Sequence, residues 1–268
     1  MITMYGVIGD PIAHSLSPAM HNAAFQALGM DCFYAPFHVK GRNLHEAVSG
    51  ARSLGFGGLN VTIPHKEAVI RFIEADQDAR NIGAANTIDL KTNKAYNTDA
   101  PGAIQSLRDS GVEVRNKNVL VLGAGGAARA VAYGLLKNGA TVTIANRTAP
   151  KAADLAAYLR EYGDVFGTGM ERLGEKVAIA DVIVNTTTVG MGEDETLVTA
   201  GMLRPEHVVF DLVYKPVETK LLGEAKAAGA KTVDGITMLA RQGALSFEIW
   251  TGVKPPLGIM ERSARNAV

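Results

Sequence analysis

The chain of 268 residues is poor in several things, and each shortage closes off a class of function. It has one cysteine, Cys32, so an internal disulfide and a cysteine-built metal site are both excluded, and a reducing compartment is expected. The default expectation for Cys32 is a small buried apolar residue. Charge of either sign is not in excess: Lys plus Arg and Asp plus Glu number 27 each, which gives no global attraction to nucleic acid or to an anionic membrane. No uninterrupted apolar stretch approaches the roughly 18 residues of a spanning helix. The first ten residues carry no basic segment and no long apolar run, so no signal peptide is expected. The six histidines, His14, His21, His38, His45, His65 and His207, show no H-x-x-x-H spacing, and no metal is assigned. Repeats, low-complexity tracts and linkers are likewise missing. A soluble, cytoplasmic, globular α/β protein is the expectation, long enough to form two domains.

What is present centres on residues 118–148. Val119 to Leu122 is an apolar run suited to a strand buried on both faces. Gly123-Ala124-Gly125-Gly126-Ala127-Ala128 fits G-x-G-x-x-G/A, and a helix is expected from Ala128 to Lys137, closed by Asn138-Gly139. Thr141 to Ala145 reads as a second strand. Strand, glycine turn, helix and strand make the front half of a dinucleotide-binding unit, with the pyrophosphate over Gly125 and against the helix N-terminus. An NAD site usually has Asp or Glu at the end of the second strand; here stands Asn146-Arg147-Thr148. Arg147 suits a 2′-phosphate through a forked, charge-assisted contact. Thr148 also reads as an N-cap with Pro150 in the first turn, a purely structural use that leaves Arg147 free to point outward.

The first hundred residues alternate strand and helix, as an open α/β sheet does. Strands are expected at Tyr5–Ile8, Cys32–Val39 and Gly57–Ile63, with a strand pair at 85–90 and 94–97. Helices are expected at 19–28 and 44–54, and from Pro64 towards Glu74. Ser17 is read as an N-cap with Pro18 at the first helical position, and Ser15 and Ser17 together bring two hydroxyls to a helix N-terminus, where a carboxylate would be well received. Asn60 and Thr62, two apart on a strand, project to one face. Pro64 and the following helix then aim Lys66 back over the strand ends, where ligands of open α/β sheets sit. A lysine in a first helical turn is mildly unfavourable beside the helix dipole, which makes a purely structural Lys66 less natural. His65 is expected to be a solvated neighbour. Asn97-Thr98-Asp99 is an N-cap signal for a helix to Ser110. Beyond the glycine turn come a helix at 150–162, strands at 181–185, 208–212 and 232–233, a helix at 218–228, a long helix from Asp234-Gly235 to Trp250, and a last helix after Pro255-Pro256.

Taken together these segments resemble the shikimate dehydrogenase family over nearly the whole chain. Ser15-Leu-Ser17-Pro is similar to its substrate-carboxylate motif, Asn60-Val-Thr-Ile-Pro-His-Lys66 to its catalytic-lysine motif, and Gly83-Ala-Ala-Asn86-Thr and Asn97-Thr-Asp99 to its next two substrate segments. Gly123 to Arg129 and Asn146-Arg147-Thr148 are similar to its NADP loop and phosphate clamp. Gln242-Gly-Ala resembles its late substrate segment, and Asp211-Leu-Val-Tyr214 its interdomain strand end. Two departures stand out: Asn185-Thr-Thr-Thr188 where Asn-Ala-Thr-Ser is usual, and Thr219-Lys220 where Thr-Pro is usual.

The resemblance implies two domains with a cleft between them: residues 1–101 plus 236–268 for substrate, and a Rossmann-type NADP domain at 102–235. It implies NADPH-dependent reduction of 3-dehydroshikimate to shikimate in chorismate and aromatic amino-acid biosynthesis. The catalytic pair would be Lys66 and Asp99. Substrate contacts would come from Ser15, Ser17, Asn60, Thr62, Lys66, Asn86, Asp99, Tyr214 and Gln242. Cofactor contacts would come from Gly123, Ala124, Gly125, Gly126, Ala127, Asn146, Arg147, Thr148, Thr186, Thr187, Gly235 and Met238. No nucleic acid or membrane partner is implied, and a homodimer is the candidate assembly. A quinate or quinate/shikimate dehydrogenase using NAD, another NADP-dependent reductase such as a methylenetetrahydrofolate dehydrogenase, and a non-catalytic NADP-sensing module stand as alternatives. The Lys66 and Asp99 pair argues against the last.

Overall fold

Apolar runs bounded by glycine turns become the strands of two separate sheets. In the computed structural model, which describes residues 2–268, one compact unit holds the residues through Asp99 together with Leu239–Val268, and a second holds Ala100–Met238. The chain passes from one to the other inside helices rather than loops: α4 (Asp99–Asp109) and α9 (Gly235–Thr251).

The sheet of the first unit is built from β1 (Thr3–Gly9), β2 (Cys32–His38), β3 (Gly58–Val61), β4 (Glu74–Ala75), β5 (Thr87–Asp89) and β6 (Lys94–Tyr96), in the order β2-β1-β3-β5-β6-β4. β1 is parallel to β2 and β3, because α1 (Ser17–Ala27) and α2 (Leu44–Ser53) carry the chain back between them. β5 and β6 form an antiparallel hairpin, turned at Asn93 in the left-handed region (φ 57°). A short α3 (Gln77–Ile82) is capped by Asp76, whose carboxylate accepts the Ala79 N–H, and is ended by Gly83 at φ 74°. The last helix, α10 (Leu257–Asn266), packs on α1. Between α1, the sheet and α9 lies an aromatic core of Tyr5, Phe25, Tyr34, Phe247 and Trp250. Trp250 occupies the space that a side chain at Gly58 would need, and its indole N–H donates to Ile88 O at 2.9 Å.

The second unit is a parallel sheet of β7 (Asn118–Leu122), β8 (Thr141–Ala145), β9 (Val165–Thr168), β10 (Val182–Asn185), β11 (Val208–Asp211) and β12 (Lys231–Val233), in the order β12-β11-β10-β7-β8-β9. All five pairings are parallel, and the sheet is joined by α5 (Gly126–Lys137), α6 (Ala149–Leu159), α7 (Leu173–Ile179) and α8 (Lys220–Ala227). Strand order reverses at β7, so the turn after β7 stands at a topological switch point.

Four local expectations are corrected. No helix follows Pro64: residues 63–68 are turns, followed by a 3-10 turn at Val69–Arg71 and by β4. The Lys66 carbonyl, which a helix would need for its own ladder, accepts the Ala85 N–H at 2.9 Å instead. Lys66 therefore stands in no first helical turn, and no helix dipole acts against it there. Ser17 is the first residue of α1 rather than its cap; Leu16 holds the cap position, and the Ser17 N–H donates to Ser15 Oγ at 3.3 Å. His65 is buried, not solvated, and its Nε2 lies 2.6 Å from Val39 O. Cys32, at the start of edge strand β2, is only half-buried. β9 and α7 are absent from the sequence reading because Gly163, Gly167, Gly169 and Gly174 break the periodicity there. Among the described residues no helix is long and apolar enough to cross a membrane, and no group of three His, Cys, Asp or Glu side chains is placed to hold a metal.

Candidate active site

The C-terminal end of β3, the N-terminal end of the antiparallel β5, the start of α4 and one turn of α9 bring a set of polar side chains into contact inside the first unit. Lys66 Nζ donates to Asp99 Oδ2 at 2.6 Å, with both side chains largely withdrawn from solvent (13% and 6% exposed). The other Asp99 oxygen lies 2.9 Å from Asn86 Nδ2, which is also 3.1 Å from Gln242 Oε1 and 2.9 Å from Thr98 Oγ1. Four of the expected residues, Lys66, Asn86, Asp99 and Gln242, thus form one connected group. A charged pair so far out of water is retained only with further donors around it; Asn86 supplies one to Asp99, and Gln242 is joined to the group through Asn86.

Asn60 stands beneath this group with its polar atoms engaged within the protein. Its Nδ2 donates towards Asn86 O (3.0 Å), Ser246 Oγ (3.0 Å) and Thr87 Oγ1 (3.2 Å), and its Oδ1 accepts the Tyr34 hydroxyl at 2.7 Å. Thr87, Thr98 and Ser246 close a triangle of hydroxyls with edges of 2.7, 3.2 and 3.3 Å. The sequence reading missed Tyr34, Thr87 and Ser246. Ser246 was findable, lying four residues after Gln242 and so on the same face of α9; Tyr34 was not, since its link to Asn60 exists only through strand order. Thr62 lies one residue beyond β3 and is half-buried. Ser15 and Ser17 lie at the start of α1, away from the hydrogen bonds of the Lys66 group, with Ser15 half-buried and Ser17 buried.

His21, one turn after Ser17, is fully buried, and its ring stacks on Tyr34 (4.4 Å between centroids, 9° between planes). Neither ring nitrogen has a hydrogen-bond partner. Burial without any compensating acceptor pushes its pKa down to about 3.

In the second unit the residues present fit a dinucleotide carrying a 2′-phosphate. Gly123 has φ 111°, and a Cβ there would lie 2.7 Å from Thr186 Oγ1, so only glycine makes this turn. Gly125 is the reverse case: no atom lies within 4 Å of where its Cβ would be, which leaves its outer side clear for a phosphate. Gly125 is the N-cap of α5 and has no side chain to cap it, so the first-turn N–H groups around Gly126 and Ala127 are left without a capping acceptor, as an anion site at a helix N-terminus requires. Ala124 is half-buried at the turn. Arg147 and Thr148 are exposed beyond β8, and Asn146 Nδ2 donates to Thr148 O at 3.1 Å. Thr148 does hold the N-cap position of α6, though its hydroxyl makes no capping bond.

Thr186 and Thr187 follow β10. Thr186 Oγ1 donates to Leu122 O at 2.6 Å, and Thr187 donates both its N–H and its hydroxyl to Asn185 Oδ1. The departure at Asn185-Thr-Thr-Thr188 therefore has a use: the Thr186 hydroxyl fastens this loop to the glycine turn. At the other departure, Lys220 Nζ donates to Asp194 O at 2.9 Å, while Thr219 caps α8 through the Leu222 N–H. Gly235 begins α9 against the Leu212 and Val213 carbonyls, where a Cβ would lie within 2.7 Å of both oxygens. Met238 is buried. Tyr214 is half-buried, and burial raises its pKa.

Comparison with known proteins gives a consistent answer. The family model of the shikimate dehydrogenase substrate binding domain matches residues 7–88, that of the shikimate / quinate 5-dehydrogenases matches 106–221, and that of the shikimate 5′-dehydrogenase C-terminal domain matches 235–265. The NADP(+)-dependent shikimate dehydrogenase of Methanocella arvoryzae is 68% identical over 269 residues, covering 100% of both chains. A shikimate dehydrogenase crystallised with NADP+ superimposes with a TM-score of 0.92 at 42% identity, covering 99% of this chain and 95% of that one. Shikimate 5-dehydrogenase of Thermus thermophilus, crystallised with NADP(H) and shikimate, gives 0.90 at 38% identity, covering 99% and 100%.

Proposed function

The chain belongs to the shikimate dehydrogenase family, and from that premise we propose how its own residues carry the reversible NADPH-dependent reduction of 3-dehydroshikimate to shikimate. In that reaction the carbonyl carbon gains a hydride and the oxygen gains a proton. The hydride is what bound NADPH supplies. Binding, orientation and the proton fall to the chain.

Lys66 is assigned as the proton donor in the direction of reduction and as the acceptor in reverse. As an ammonium it places positive charge and a proton where alkoxide develops. Asp99, at 2.6 Å, holds the amine in one direction, Asn86 holds Asp99, and Gln242 accepts from Asn86. Ser15 and Ser17 are assigned to the substrate carboxylate, with the N-terminus of α1 behind them. Thr62 and Tyr214 complete the substrate contacts. Asn60, whose amide is engaged by Tyr34, Thr87 and Ser246, contributes by fixing the strand ends. Residues 1–101 with 236–268 take the substrate and residues 102–235 the NADP, whose 2′-phosphate is assigned to Arg147 and Thr148. The lone cysteine accords with a reducing, cytoplasmic setting, and the reaction with aromatic amino-acid biosynthesis.

The observation that carries this reading is the buried Lys66–Asp99 contact tied to Asn86 and Gln242. It is tested by kinetics. Lys66→Ala should lower kcat by about 10²–10⁴ with a smaller change in the KM for shikimate. Asp99→Asn should also cost rate, and the double variant should be little worse than the worse single one. Losses that multiply would show two independent groups and refute the pair.

A further inference from the structure

Asp211 is fully buried at the last position of β11, and among the described residues no cation pairs with it. A carboxylate in that position is costly unless neutral donors surround it. Three do: Thr219 Oγ1 at 2.6 Å to one oxygen, and Asn185 Nδ2 at 2.8 Å and the Val213 N–H at 3.0 Å to the other. Asn185 is its direct partner in the β10–β11 register.

From this carboxylate two chains of contacts lead to the cofactor side of the unit. Through Asn185, whose Oδ1 accepts from Thr187 N and Thr187 Oγ1, it fixes the loop in which Thr186 is bonded to Leu122 and pressed against Gly123 of the phosphate turn. Through the Val213 N–H it sets the backbone whose carbonyls abut Gly235 at the start of α9. Through Thr219 it also fastens the N-terminus of α8. Thr186, Thr187 and Gly235 are three of the assigned cofactor contacts, and none touches Asp211 itself.

We propose that Asp211 is a positioning residue for NADP, a buried anchor that holds the Thr186–Thr187 loop and the entry to α9 in their binding geometry before the cofactor arrives. The inference rests on the second unit being the NADP site. Without the anchor those loops must be ordered during binding, which weakens the complex without removing any direct contact.

The test is calorimetric titration of the whole protein with NADP, with no turnover, alongside thermal unfolding of the ligand-free protein. Asp211→Asn keeps the shape but replaces one of the two acceptor oxygens by a donor; Asn185→Leu keeps the volume and breaks the link from Asp211 to Thr187. Both variants should raise the Kd for NADP at least fivefold while unfolding cooperatively. Should Asp211→Asn not fold, Asn185→Leu alone carries the same expectation. A fall in Tm with an unchanged Kd would make Asp211 a stabilising residue only and overturn the proposal. No NADP uptake by the parent protein would overturn the reading of the unit itself, an outcome distinct from parent binding matched by both variants.

Discussion

Replacing His21 by leucine tests the consequence of burying an imidazole with no polar partner. The folded protein holds this ring neutral, with a pKa of about 3 against an ordinary 6.5, and burial is the cause. Between those two values the unfolded chain binds a proton that the folded chain refuses, so stability falls as pH falls, beginning near 6.5 and complete only near 3. At about pH 5 the unfolded imidazole lies about 1.5 units below its own pKa, and at ~1.4 kcal/mol per unit the native state is weakened by about 2 kcal/mol relative to neutral pH. Near pH 5 this figure depends on the unfolded pKa rather than on how far below 5 the folded one lies. Leucine is close in volume and cannot titrate. Its packing cost against Tyr34, Phe247 and the close approach of Gly243 does not depend on pH, and it cancels when each protein is compared with itself. The buried His207, whose pKa is also lowered by burial, stays in both proteins and cancels too. Urea unfolding at about pH 7.5 and about pH 5 should therefore show the parent losing about 2 kcal/mol more than His21→Leu on acidification. Equal losses in the two proteins would mean that His21 finds a proton partner in the fold, and the reasoning would fail.

Arg147→Ala should raise the KM for NADP and leave use of NAD nearly unchanged; equal losses with both cofactors would remove Arg147 from the 2′-phosphate. With NADP, kcat/KM should be larger for shikimate than for quinate, since quinate adds a tertiary hydroxyl beside the carboxylate that Ser15 and Ser17 are assigned to hold; because a pocket rejects an added hydroxyl by only about 10² in one well-studied case, comparable values would indicate a dual-specificity enzyme. Gly58→Ala should destabilise by about 1–3 kcal/mol in chemical denaturation, because its methyl group would displace the Trp250 indole from its bond to Ile88 O. Parent-like stability in that variant would show that the indole has room to move.

The parts of this fold that could be read from sequence are those whose causes lie within a few residues of one another. β7, the glycine turn, α5 and β8 are specified by an apolar run, a left-handed glycine, a helix with no cap side chain and a β-branched run, all inside 28 residues. The segment after Pro64 failed for the opposite reason. Its composition suits a helix, but the Lys66 carbonyl is taken by Ala85 on a distant turn, and a tertiary hydrogen bond overrides local preference. Ser17 failed more narrowly, by a single position, because Ser15 Oγ supplies the acceptor that a cap would have supplied. Asn60 marks the boundary between the two cases. Its place at a strand end was legible, but whether its amide faces a ligand or the interior depends on Tyr34 and Ser246, which are 26 and 186 residues away.

The glycine turn shows why even a correct motif conveys less than the geometry does. In the sequence Gly123 and Gly125 are two equal letters of one pattern. In the fold they answer to different constraints: Gly123 is required by its own backbone angle and by the Thr186 hydroxyl packed against it, whereas Gly125 is hemmed in by nothing. A residue that must be small for the fold's sake is explained by the chain alone. One that is small where the chain leaves open space is explained only by something that approaches from outside, and a backbone turn at a helix N-terminus, at the switch point of a parallel sheet, favours a phosphate as that visitor. The same distinction separates Asn185 and Asp211, whose polar atoms are satisfied within the protein, from Arg147, which is exposed beside the same sheet. The former are accounted for by the chain itself, and the latter is the side chain assigned to a ligand.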